Sequence, residues 1–340
     1  MQGEKIYNIS APKKVLTLLE RRGIKYTLCT AILYALDKYL VFLDKGRSTL
    51  PLMSSSDHLV MKNINGSEMF LDVADEGLSH DLIEEGVRET FILGTIKREL
   101  RKGQVVIDIG SNIGYYALLE AKVVGDEGKV YAIEPVPESR EILKKNIEIN
   151  KYSNVEEYPF AVGDESSVAT IYVRNKLNLS SFRESDQGTC QDNVSTTKKV
   201  QVQVVTLDDF IKDKANPDII RMDTEGHEYQ IIKGMGEILR KNLPLILFIE
   251  FHFNILEIDQ SIETLETLKQ SGFKIKDVTL ESTSRGFQHH KTLWRMIAFL
   301  DKKREGFPAP GHRNLTIDGI ISKSDILNGR WGALEICFER

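Results

Sequence analysis

Three cysteines in 340 residues, Cys29, Cys190 and Cys337, are too few, too scattered and odd in number for a disulfide framework. They form no C-x-x-C pair, so a zinc site of that kind is excluded as well. An excess of positive charge is also lacking: 45 Lys and Arg against 50 Asp and Glu give a formal net charge of −5, which leaves no field to gather a nucleic-acid backbone and argues against such a substrate. A long uninterrupted apolar run is missing too. The nearest approach, Tyr26 to Leu43, carries Asp37 and Lys38, and each such charge costs about 2.5–3.5 kcal/mol near the centre of a spanning helix. The stretch therefore reads as an amphipathic helix that is buried or packs on a partner, with contact at a membrane surface as the alternative. The opening MQGEKIYNIS has no charged n-region, apolar core or small-residue cleavage site, so the expected location is cytoplasmic. What remains, 41% hydrophobic and 28% charged, is ordinary for a globular protein and permits one large core with additions or two domains.

Against that plain background, VVIDIGSNIG, residues 105–114, carries the most information. Val105, Val106, Ile107 and Ile109 form a nearly continuous apolar run, as a parallel strand covered on both faces requires. Gly110 and Gly114 then bracket a tight turn where a ligand can approach the main chain, and an apolar helix follows from Tyr115 to Ala121. A second strand, Val130 to Ile133, ends on Glu134. A carboxylate there can accept hydrogen bonds from both vicinal hydroxyls of a ribose and would repel a 2′-phosphate. Strand, glycine turn and acid alone fit nicotinamide and S-adenosylmethionine enzymes alike. Asn112, however, occupies the middle glycine position of G-x-G-x-x-G that admits a pyrophosphate, so a dinucleotide fits less well.

Along the chain, Lys13–Leu43 reads as helical, and residues 1–66 as an N-terminal accessory segment. Strand-like runs flank the Asn65-Gly66 turn, and Leu78–Leu100 reads as a helical lead-in containing GVRE. Ser139–Asn150 is helical by its apolar spacing, while Val168–Val173 and Val200–Val205 alternate like strands. Between them, Arg174 to Lys199 is a polar excursion of the kind that forms binding loops. Phe273–Leu280 and Leu293–Leu300 read as strands, and Trp331–Phe338 as a late edge strand.

DIGSNIGYY, AIEPVPE, KKNIEIN, FAVGDES, VVTLDDF, DIIRMDTEGHEYQIIKGM and LILFIEFH occur in that order between about Phe70 and His252. Together they resemble the successive motifs of FkbM-type methyltransferases, with DIIRMDTEGHE the most selective piece. The resemblance implies an α/β fold: a Rossmann-like, doubly wound, mostly parallel seven-stranded sheet of the class I methyltransferases, with one antiparallel strand at its edge. An N-terminal helical cap and extra C-terminal elements would be added to it. It places the methyltransferase domain at residues 67–300 and an extension at 301–340. The implied cofactor is S-adenosyl-L-methionine, and the implied reaction is methyl transfer to an oxygen of a sugar, glycan or other natural product. Asp108, Gly110, Asn112, Gly114 and Glu134 would bind the cofactor, Asp164 would stand near the adenine amino group, and Ser180 and Ser181 would touch the acceptor.

Ligands of open α/β sheets sit beyond the carboxyl ends of the strands. Asp218–Met222, read as the fourth strand, delivers Asp223, Glu225 and His227 to that edge, and Leu245–Ile249, the fifth, delivers Glu250 and His252. Transfer from a sulfonium needs alignment and exclusion of water, and a hydroxyl acceptor needs a base for its proton. His227 and His252 are the candidates, with Asp223 or Glu225 binding the acceptor or the methionine ammonium. Asp223, Glu225, Glu250 and His252 also suit a divalent cation, but sequence supplies no geometry and no metal is assigned. Two rival readings stay open: an NAD-dependent oxidoreductase or epimerase, and a non-catalytic cofactor-binding scaffold. The expected partner is a small-molecule or glycan acceptor.

Overall fold

The computed structural model describes residues 52–53, 58–184, 196–280, 311–329 and 331–340. Seven strands form the central sheet: β1 (Val105–Ile109), β2 (Lys129–Ile133), β3 (Val155–Tyr158), β4 (Ile219–Met222), β5 (Ile246–His252), β6 (Lys274–Leu280) and β7 (Ala333–Glu339). Their spatial order is β3-β2-β1-β4-β5-β7-β6, and the short strand Gly311–Arg313 pairs outside β6. Neighbours from β3 through β5 run parallel, and β7 runs antiparallel to both β5 and β6. The sheet is the mostly parallel, seven-stranded, doubly wound α/β architecture that the sequence implies.

Successive residues of β1 explain the apolar run. Ile107 and Ile109 enter a core with Ile220, Met222, Leu247 and Ile249, while Val106 joins Val130, Ile219 and Phe248 in the core on the other face. Helices cover both faces, so almost every strand position must be apolar. Among these helices α1 (Leu78–Glu85), α2 (Thr90–Glu99), α3 (Tyr115–Val124), α4 (Pro137–Asn150) and α5 (Glu228–Lys233) position the site. A second, three-stranded sheet of Ala161–Gly163, Thr196–Thr206 and Ser167–Arg174 stands beside the strand ends, in that order.

Several expectations are corrected. The lead-in Leu78–Leu100 is two helices, because Gly86 closes α1 in a left-handed conformation and Glu89 opens α2 at φ 53°. The late strand expected at the edge is interior: β7, drawn from the segment 301–340 expected as an extension, lies antiparallel between β5 and β6, while the short antiparallel strand Gly311–Arg313 takes the edge. A partition after residue 66 falls on the turn of a hairpin, since Leu59–Ile64 pairs with Ser67–Asp72 across Asn65-Gly66. That hairpin docks on α4 through Asn146, whose Oδ1 accepts from the Phe70 amide at 2.6 Å and whose Nδ2 donates to the Ile113 carbonyl at 2.8 Å. The expected helix Lys13–Leu43, the strand Leu293–Leu300 and the middle of the polar excursion lie outside the described residues. Among those described, no helix is long and apolar enough to cross a membrane.

Candidate cofactor and acceptor site

Strand register gathers the site. Ile109 lies beside Ile133 on one side and Met222 on the other, so the turn after β1 meets the ends of β2 and β4 at one edge of the sheet. Gly110 makes this possible: its φ is 81°, and a Cβ there would collide with the Asp223 carbonyl oxygen. From β2, Glu134 reaches back over the turn. Its Oε2 accepts from the Asn112 amide at 2.8 Å and its Oε1 from the Val136 amide at 2.7 Å. Burial raises its pKa and the two amides oppose that rise, leaving the carboxyl pushed up to about 7.

Beyond the turn opens a cleft of about 980 Å³, its solvent-facing mouth included. Of the expected residues, Gly110, Asn112, Glu134, Ser180, Ser181, Asp223, Glu225, His227 and Glu250 line it. Four others do not. Asp108 is fully buried beneath the turn, its Oδ1 accepting from Arg221 Nη1 at 3.1 Å. Gly114 packs under α3 against Leu143, where a Cβ would clash. Asp164 turns outward to Lys233 at 3.2 Å. His252 sits behind the cleft wall and is 4% exposed. Asp108 and Gly114 therefore support the turn from beneath without lining the cleft, and Asp164 is paired with Lys233 outside that lining.

The DTEGH turn after β4 builds the acidic wall. Glu225 and Gly226 both adopt left-handed backbone, at φ 47° and 89°, which reverses the chain directly into α5. Glu228, the first residue of α5, is fully buried; its Oε1 accepts from the Gly226 amide at 3.1 Å and lies 2.8 Å from His252 Nδ1. His252 Nε2 is 3.4 Å from Glu225 and 3.9 Å from Glu250. Burial opposes charge on this imidazole, yet Glu225, Glu228 and Glu250 outweigh it and hold its pKa well above the ordinary value. Burial pushes the Glu225 carboxyl up to about 7, against the pull of His252. His227 is the opposite case: burial lowers its pKa against the opposing pull of Glu228 and Asp164, which favours the neutral imidazole. It leans on Phe182 with ring centroids 4.3 Å apart.

Sequence reasoning missed the roof. Arg88 and Glu89, from the break between α1 and α2, line the cleft. They are pinned by α3: Tyr115 Oη donates to the Arg88 carbonyl at 2.7 Å, and Tyr116 Oη donates to Glu89 Oε2 at 2.7 Å. The Gly86 helix stop ahead of Arg88 was the available signal. Arg221 was missed as well. Register sets it beside Asp108, it donates to Asp223 Oδ2 at 3.0 Å, and its guanidinium lies 3.9 Å from the Tyr116 ring centroid. Burial works against its charge, but Asp108 and Asp223 outweigh that.

A family model described as the methyltransferase FkbM domain matches residues 108–288. A 57-residue stretch is 40% identical to a protein-L-isoaspartate O-methyltransferase of Methanothrix thermoacetophila, covering 17% of this chain and 27% of that one. The hexuronic acid methyltransferase AglP of Haloferax volcanii is 25% identical over 186 residues, covering 53% of this chain and 66% of that one. The chain thus spans about a quarter of the length of the first of these relatives and just under two thirds of the second. Among solved structures, M. jannaschii TYW2 in complex with AdoMet superposes with a TM-score of 0.36 at 16% identity, over 85% of this chain and 90% of that one.

Proposed function

We propose, from the premise that the chain belongs to the FkbM methyltransferase family and uses S-adenosyl-L-methionine, that it methylates a hydroxyl of a sugar, glycan or related natural product. The observation that carries this reading is the pairing of a ribose-accepting carboxylate, Glu134, with proton acceptors across one cleft. The residues present fit the cofactor. Gly110 leaves the main chain bare where a side chain would fill the turn, and each Glu134 oxygen, holding one amide, retains capacity for a hydroxyl donor. Bound there, S-adenosylmethionine supplies an electrophilic methyl group on a sulfonium.

The chain's own residues then have separable tasks. Glu134 fixes the ribose, and the buried Arg221 holds Asp223 in place at the cleft wall. His227, neutral and in the lining, takes the acceptor proton as the new C–O bond forms. Phe182 offers its ring beside His227 as a platform for the apolar face of a sugar. His252, buried behind the wall and held by Glu228, stands against Glu225 and Glu250 and is not the base. Similarity to a hexuronic acid methyltransferase supports a sugar acceptor, and Asn112 in the turn weighs against the dinucleotide alternative.

The test is incubation with S-adenosylmethionine and a panel of uronic acids, neutral hexoses and their nucleotide or lipid conjugates, read by mass spectrometry with linkage analysis. The expected product carries one methyl ether per molecule, with S-adenosylhomocysteine formed in equal amount. Methylation only at nitrogen or carbon, or calorimetric binding of NAD in place of the methyl donor, overturns the reading.

A further inference from the structure

Asp223, Glu225 and His252 come from two strand ends and a turn, yet each brings one ligand atom within 4.8 Å of the others. Adjacent donor atoms around an octahedral divalent ion with bonds of about 2.0–2.2 Å stand roughly 3 Å apart. The 3.4 Å between His252 Nε2 and Glu225 is therefore within a few tenths of an ångström of a ligand spacing. We propose that these three side chains bind a hard divalent cation, with Mn²⁺ as its probe, at the inner wall of the cleft.

Further features point the same way. The donors are of mixed kind, two carboxylates and one imidazole, a set that Mn²⁺ accepts through both oxygen and nitrogen. His252 is 4% exposed, and its Nδ1 is held at 2.8 Å by the buried Glu228, which leaves Nε2 directed toward Glu225 and Glu250. A carboxylate behind a histidine is how metal-binding imidazoles are oriented and made more basic. Glu228 Oε2, in the same fully buried side chain, has no hydrogen-bond partner.

Charge is also out of balance. Arg221 is committed to Asp108 and Asp223, and Arg88 to Glu89 and Asp81. His252 thus faces three carboxylates, Glu225, Glu228 and Glu250, with Arg88 as a more distant cation acting on Glu225 and Glu250. Lastly, Asp223, Glu225 and Glu250 line the open cleft, so coordination positions remain for water or an acceptor oxygen. There the ion would polarise the acceptor hydroxyl and favour loss of its proton to His227. That last role rests on the proposed methyl transfer, whereas cation binding does not.

The experiment titrates Mn²⁺ into the full chain without cofactor or acceptor, following the free-ion electron paramagnetic resonance signal and the melting temperature. Loss of one equivalent of signal per chain and a rise in melting temperature are expected. Glu225→Gln, at the cleft surface, should weaken binding at least about tenfold, and Glu228→Gln about 10- to 100-fold through the imidazole it orients. A folded wild type that leaves the Mn²⁺ signal intact overturns the proposal. So does binding of equal strength in wild type, Glu225→Gln and Asp223→Asn, which would put the ion elsewhere. Because no acceptor is present, failure of the acceptor reading leaves this result unchanged.

Discussion

The two ends of the cleft are built by different means. At the proposed cofactor end, the lining is built from main-chain amides and one carboxylate of a single β1-α3-β2 unit, where Asn112 and Val136 both donate to Glu134. At the proposed acceptor end, the lining is made of side chains from the ends of β4 and β5, the polar excursion and the break between α1 and α2. The first end depends on a turn that few residues other than glycine permit. The second depends on charges that must be balanced against each other in a buried wall. Arg221 joins them, because it holds Asp108 beneath the turn with one nitrogen and Asp223 at the wall with another.

Breaking that joint should have the largest effect. Arg221→Met leaves the fully buried Asp108 without the cation that offsets its burial, at a cost of about 3–5 kcal/mol. Denaturant unfolding checks the value, and the double change Asp108→Leu with Arg221→Met should recover much of it if the loss is electrostatic. Full stability in the single variant would show that the two ends are independent.

A smaller effect separates the ends. Glu134→Gln should weaken S-adenosylmethionine binding by about 1.5–3 kcal/mol, the worth of hydrogen bonds to a charged group, and spare the acceptor wall. In the wild type the sign follows from the raised pKa of about 7. Ribose hydroxyls favour the ionised carboxylate, so affinity should rise as pH climbs through about 7 and level off above it. Stability of the empty protein moves the other way: the contribution of the protonated carboxyl is complete below the ordinary value of 4.5 and is lost as pH rises through about 7. Calorimetry across that window should find the slope in the wild type and not in the glutamine variant.

The smallest effect sharpens the acceptor end. Phe182→Ala removes the ring beside His227 and should raise the acceptor KM by a factor equivalent to about 0.5–1.5 kcal/mol, with cofactor affinity unchanged. An equal loss in cofactor affinity would mean that the ring packs against adenosine instead.

The contrast also explains what could be read from the sequence. Gly110, Asn112 and Glu134 were legible because a β-turn-α-β unit is local, and its apolar runs, turn glycines and terminal acid occur in fixed order. Asp223, Glu225 and Glu250 were legible as acids at strand ends, since the carboxyl edge of a parallel sheet faces the cleft. Their mutual distances were not. Asp108 was assigned to the cofactor because it stands in the same motif, yet strand alternation buries it beside Arg221. Arg88 and Glu89 were hidden because they work from a break in a helical pattern. Glu335 was hidden for a topological reason: only the pairing of β7 with β5 brings it opposite Glu250, where burial pushes its carboxyl up to about 8.

That pairing bears on how the protein is made. Until Ala333–Glu339 has been synthesised, β5 has an open edge on the side away from β4, and it is the strand that ends in Glu250 and His252. A half-finished chain on the ribosome thus exposes the row Ile246, Leu247, Phe248, Ile249 with free amides and carbonyls, a template for pairing with another nascent copy. Slow elongation through the stretch between β6 and β7 should lengthen that hazard, and a chaperone that shields exposed strand edges should shorten it.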